Sequence, residues 1–114
     1  MDILPGVVEK TLTELHIPTR LRGYRYLTYS IAQVATDPAR IHGVTKDLYR
    51  ETARRYGTTW QAVEHAGRTA INVCWDRGGR VKLDEVVGYH LTERPWATEF
   101  ISSVAAYVRN ACGQ

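Results

Sequence analysis

The chain has 114 residues, room for one domain rather than two. Apolar residues make up 44% and charged residues 24%, enough for one buried core and outside the range of disordered or low-complexity chains. The net charge of +3 is unevenly spread: residues 1–39 and 69–114 are each balanced, and the whole excess falls in residues 40–68. There Arg40, Lys46, Arg50, Arg54, Arg55 and Arg68 face only Asp47, Glu51 and Glu64. A local cationic excess suits a polyanionic partner.

No apolar run is long enough to span a membrane. Met1 to Pro5 lacks the basic start and apolar stretch of a secretion signal. Cys74 and Cys112 are far apart and form no paired motif, so they read as reduced thiols. The expectation is a cytoplasmic protein that does not engage membranes.

Apolar spacing is mostly helical, with no convincing run of strand-like alternation. Val7, Val8, Leu12 and Leu15 mark a first helix that ends before Pro18. Leu21 to Thr36 forms a second, closed by Asp37-Pro38. Val44 to Tyr56 forms a third, with Gly57 placed to stop it in the left-handed conformation. Thr58 opens a fourth, with Gln61 three residues on in the capping-box pattern, and the helix runs to about Asp76 before Gly78-Gly79. Leu83 to Val87 is a short helix or turn, and Gly88 to Ala97, with Pro95, is a loop. Thr98 caps a last helix whose apolar side carries Phe100, Ile101, Val104, Ala105 and Val108. Together these predict an all-α fold of about six helices in one compact domain spanning residues 1–114.

The third and fourth helices are joined by only Tyr56-Gly57-Thr58, so they must cross steeply with their backbones close together. Ala53, four residues before Gly57, is small enough for the crossing, and Val63, six after it, buries a branched side chain against the first helix. Alanine, glycine and aliphatic at these offsets is the pattern of a helix-turn-helix, here about 45–76. At 100° per residue, Ala62, Val63, Ala66, Ala70, Val73 and Cys74 share one side of the fourth helix. Gln61, Glu64, His65, Arg68, Thr69 and Asn72 share the other.

Those polar groups suit base edges: Arg grips guanine, Gln or Asn pairs with adenine, and Glu accepts from cytosine. Recognition helices read bases with their N-terminal residues, which nominates Gln61, Glu64, His65 and Arg68. Lys46 and Arg50 on the preceding helix are candidates for the DNA backbone, with Thr58, Thr59, Trp60 and Asn72. A plainer reading stands beside this one. A polar helix face is commonly just solvated, Glu64 and Arg68 are four apart and can pair with each other, and Gln61 can be spent on the capping box.

His16, His42, His65 and His90 have no metal-ligand spacing, and no catalytic triad, carboxylate pair or phosphate loop stands out. The expectation is a non-enzymatic protein with no metal and no cofactor. Tyr24, Tyr26 and Tyr29 at the start of the second helix, and Trp60 and Trp75 at the ends of the fourth, read as packing residues.

The order of motifs resembles a known family. Ile17-Pro18, Gly23-Tyr24-Arg25-Tyr26-Leu27, Thr45-Lys46 with Leu48-Tyr49, and Ala53 to Thr59 lead into Val63-Glu64, Ala66, Arg68, Ala70-Ile71 and Val73. Trp75 with Arg77-Gly78, Gly88-Tyr89 and Glu99-Phe100-Ile101 complete the series. From about Leu4 to Val108 the chain is similar to the C-terminal DNA-binding domain of stage-zero sporulation protein A, the response regulator that starts endospore formation.

The resemblance implies six helices with the fourth, about 59–76, in the major groove of TGTCGAA-like boxes, often bound as tandem dimers. It implies promoter control through RNA polymerase and its sigma factor. The family reads bases with a glutamate and two arginines. Glu64 matches the glutamate and Arg68 one arginine, while His65 stands at the other arginine position and Ala62 where a nearby arginine is found. The family also carries a phosphorylatable receiver ahead of this domain, and this sequence contains none, which fits either an excised fragment or a stand-alone relative. The alternative function is a protein-interaction module that has lost DNA binding and modulates a full-length regulator or sigma factor.

Overall fold

The structure, a computed structural model, describes residues 4–41 and 45–113. Six α-helices and no strand occur among the described residues, so the all-α expectation holds. They are α1 (Leu4–Glu14), α2 (Arg22–Thr36), α3 (Thr45–Tyr56), α4 (Trp60–Asp76), α5 (Arg80–Val87) and α6 (Ala97–Ala111). The expected start of the third helix at Val44, and His42, lie outside the described residues.

α1 buries Val8, Thr11 and Leu12, one side of a short amphipathic helix. It ends unusually. His16 takes φ +65°, a left-handed conformation more often left to glycine, and the Ile17 N–H donates back to the Leu12 carbonyl at 3.1 Å. The turn drives Leu15 and Ile17 into the core and brings His16 Nδ1 to 3.1 Å from the Arg77 carbonyl.

α2 is the central helix, packed against α1, α4 and α6 and touching α3. Its buried residues recur at Gly23, Leu27, Ser30, Ile31 and Val34, the three-and-four spacing of a helix face. Tyr24 and Tyr26 are buried as well, and Tyr26 stacks at a tilt on Tyr56, ring centroids 5.4 Å apart. The closest approach is at Gly23. A Cβ there would stand 2.2 Å from the Ala66 carbonyl oxygen and 2.9 Å from Ala70 Cβ, so only glycine lets α2 lie directly on α4. α2 ends at Thr36, and a single 3-10 turn, Pro38–Ile41, follows. Periodicity could not reveal this turn, because four residues contain too few repeats.

α3 is tied to α2 by polar contacts as well as by packing. Thr52 is fully buried and hydrogen-bonds Ser30 at 2.9 Å, while its hydroxyl donates to the Leu48 carbonyl. Glu51 accepts from the Tyr29 hydroxyl at 3.0 Å and forms an ion pair with Arg40. The Arg40 hydrogen bond is the main cause holding the Glu51 carboxyl below its ordinary range, and burial is the main cause raising the Tyr29 hydroxyl.

α4 buries Val63, Gly67, Ala70, Ile71 and Cys74. Cys74 has no exposed surface, and desolvation pushes its thiol up to about 12. The expected element near Leu83 is a two-turn helix that starts earlier, at Arg80, and Gly88 ends it. α6 begins at Ala97 with Trp96 at the N-cap and no side-chain cap bond. Thr98 therefore lies inside the helix and does not cap it, because the chain after Pro95 already turns into helix at Ala97. Phe100, Ile101, Val104, Ala105 and Val108 are all buried, the apolar side read from the sequence.

Two outcomes follow for stability. Gly23→Ala forces α2 away from α4 and should cost about 2 kcal/mol, more than alanine's helical preference returns, seen as a lower urea midpoint with unchanged slope. An unchanged midpoint would mean that the helices do not meet at that distance. Because the Glu51 carboxyl is held below its ordinary 4.5, its contribution is complete above that pH and is lost as pH falls through the lowered value. Glu51→Gln should therefore lower the melting temperature at neutral pH, with the gap to the parent closing on acidification below that range.

Candidate nucleic-acid interface

The turn between α3 and α4 is built locally. Gly57 takes φ +65°, and the Thr58 N–H donates to the Ala53 carbonyl at 2.9 Å, closing α3. Thr59, not Thr58, is the N-cap of α4: its hydroxyl accepts from the Ala62 N–H at 3.2 Å. Two adjacent threonines carry the same chemistry, and the bond made by Thr58 to Ala53 commits it to the end of α3 instead. Gln61 is consequently not part of a capping box, and its side chain is exposed. Ala53 and Val63 are both buried where α3 meets α4.

Opposite the buried side of α4, Gln61, His65, Arg68 and Thr69 are exposed, while Glu64 and Asn72 are half-buried. Arg68 reaches Glu64 at 2.7 Å, one turn apart, with both side chains partly in solvent. Asn72 Oδ1 is enclosed and meets no hydrogen-bond partner among the described residues. Tyr49 of α3 lies beneath the Glu64–Arg68 pair. Burial, then the Glu64 charge, raises its hydroxyl, and Arg68 opposes the rise.

The cations of α3 fall into distinct settings. The Lys46 ammonium sits 4.8 Å above the Trp60 ring, linking the exposed start of α3 to the first turn of α4. Arg50 lies 4.0 Å from Asp47, with both side chains exposed. Arg54 and Arg55 are exposed at the helix end, Arg55 over the Tyr56 ring. Arg40 is different: its pairing with Glu51 makes it a brace between the 3-10 turn and α3. Among the ten residues read from the sequence as contacts, the structure thus gathers Lys46 and Trp60 at one end of α4 and Glu64 with Arg68 in its middle. Thr58 and Thr59 lie in the turn between the helices.

A further segment joins this surface. Residues 94–98, the end of the connection after α5 and the first turn of α6, form one wall of a groove of about 480 Å³ whose other wall is Tyr49, Glu64, Arg68 and Ile71. The sequence marked this stretch only as a loop at Pro95, since nothing local signals a contact with a helix some 30 residues earlier. No group of three or more potential metal ligands comes together among the described residues.

A family model for the C-terminal domain of sporulation initiation factor Spo0A matches residues 8–108. The match takes in the whole helix-turn-helix and all of α2 to α5. The chain belongs to that family, the DNA-binding effector domains of a sporulation-initiation regulator.

Proposed function

We propose that this chain is a sequence-specific double-stranded DNA-binding transcription regulator that inserts α4 into the major groove. The observation that carries the reading is the exposed row Gln61, His65 and Arg68, with Glu64 beside it, on a helix whose opposite side is locked into the core. Gln61, Glu64, His65 and Arg68 read base edges. Lys46, Arg50, Thr58, Thr59, Trp60 and Asn72 contact the backbone and set register.

Magnitudes support base reading over a purely structural Glu64–Arg68 pair. An exposed pair at this spacing stabilises a helix by about 0.3–0.5 kcal/mol. A bidentate arginine–guanine contact discriminates by about 1–3 kcal/mol. The internal pair is therefore weak enough to yield readily to a base. His65 presents a shorter donor than an arginine, so the preferred box differs from the family's at the base it meets. On tandem boxes a second copy binds alongside, and sigma factor is the partner through which transcription is controlled.

Selection from a random duplex pool tests this directly: one box should be enriched. Arg68→Ala should then lose about 1–3 kcal/mol on that box and relax preference at one position. Lys46→Ala should weaken binding to every duplex alike and reduce the log–log salt slope by about 0.9. Equal affinity of Arg68→Ala for all sequences, with no loss on the enriched box, would remove the base-reading role. If no duplex is enriched at low salt while the chain still retains a full-length regulator or sigma factor, it is an interaction module instead. Sedimentation on one-box and two-box duplexes reads the stoichiometry.

A further inference from the structure

We propose that the connection between α5 and α6 is a second DNA-contact element, with Arg94 on a backbone phosphate and Trp96 packed against the neighbouring deoxyribose. The inference rests on α4 being the recognition helix and extends the interface beyond the helix-turn-helix.

Three observations carry it. First, Arg94 and Trp96 wall the same groove as Glu64 and Arg68, so a duplex that brings bases to those two side chains brings a strand past the loop. Second, Trp96 is 84% exposed. Most of this indole's apolar area is therefore free to be covered by a partner lying along the groove. Third, Arg94 is exposed and pairs with no carboxylate among the described residues, although Glu93 and Glu99 are close in sequence. Between them Pro95 is buried and anchors the loop, so both flanking side chains are presented from a fixed backbone.

The placement is also directional. By helical angle, Trp60, Glu64, Ile71 and Arg68 lie along one flank of α4. Lys46 over Trp60 stands at the start of that flank, and Arg94 with Trp96 stands about two turns further along. Lys46 over Trp60, and Arg94 with Trp96 in the same groove wall, thus border one rim of the reading face. A single sugar–phosphate strand running along that rim meets both.

The test uses the duplex enriched by the parent chain and a scrambled duplex of the same composition, titrated across a salt series. Arg94→Ala should reduce the log–log slope by about 0.9 on both duplexes, while Arg94→Lys keeps it. Trp96→Ala should weaken both complexes by about five- to tenfold, and Trp96→Phe should recover most of that loss. Preference for the enriched box should be unchanged in all four variants, and so should the melting temperatures, because both side chains are exposed. An unaltered slope in Arg94→Ala, or Trp96→Ala binding within about twofold of the parent, overturns the proposal even if the parent binds its box. Self-association that Trp96→Ala abolishes without any change in DNA affinity overturns it in favour of a second copy on this face. If the parent enriches no duplex, the reading of α4 fails first and this proposal fails with it.

Discussion

At Gly23 the backbones of α2 and α4 lie so close that one added methyl would stand 2.2 Å from the Ala66 carbonyl oxygen. Nearly everything about the surface follows from that contact. α2 is held on other sides by α1 and α6, and α4 seats on it through glycine and alanine rather than through long side chains. Small residues at the crossing leave little rotamer freedom and little room for rocking. Whatever α4 presents to solvent is therefore presented from a rigid element, the condition for reading a fixed pattern of donors and acceptors.

The charge of the segment 40–68 looks different once partners are known. Arg40 is consumed by Glu51 and serves the fold, stitching the 3-10 turn to α3. Arg50 and Arg68 are weakly held by neighbours on their own helices, at the surface where such pairs are worth little. Lys46, Arg54 and Arg55 meet aromatic rings or solvent rather than carboxylates. The sequence tally counts all six cations alike. The folded chain keeps five of them available to a polyanion.

Local features were legible, and distant contacts were not. Gly57, Ala53 and Val63 lie within ten residues of one another, so turn geometry and crossing could be read from spacing alone. Side-chain periodicity identified α2, α4 and the apolar side of α6 for the same reason. Ends were harder. Thr58 and Thr59 are equally good caps in isolation, and only the Thr58 bond to Ala53 separates them. Thr98 has cap chemistry but the backbone becomes helical one residue earlier. The left-handed His16 is stabilised by the Arg77 carbonyl, 61 positions away, and residues 94–98, running into the first turn of α6, reach Glu64 and Arg68 across a groove. No window of sequence contains those pairs.

Glu64 places a negative charge in the middle of the exposed side of α4, tethered 2.7 Å from Arg68. Phosphate offers Arg68 a partner but offers Glu64 only repulsion, so a duplex lying loosely across the surface gains from one and loses to the other. A cytosine amino group beside a guanine satisfies both at once. If α4 reads bases as proposed, the carboxylate acts mainly against the wrong encounters: it shortens the time spent on unrelated DNA while leaving the matched site unpenalised, and with a large excess of competing sequence that dwell sets how quickly the correct site is reached.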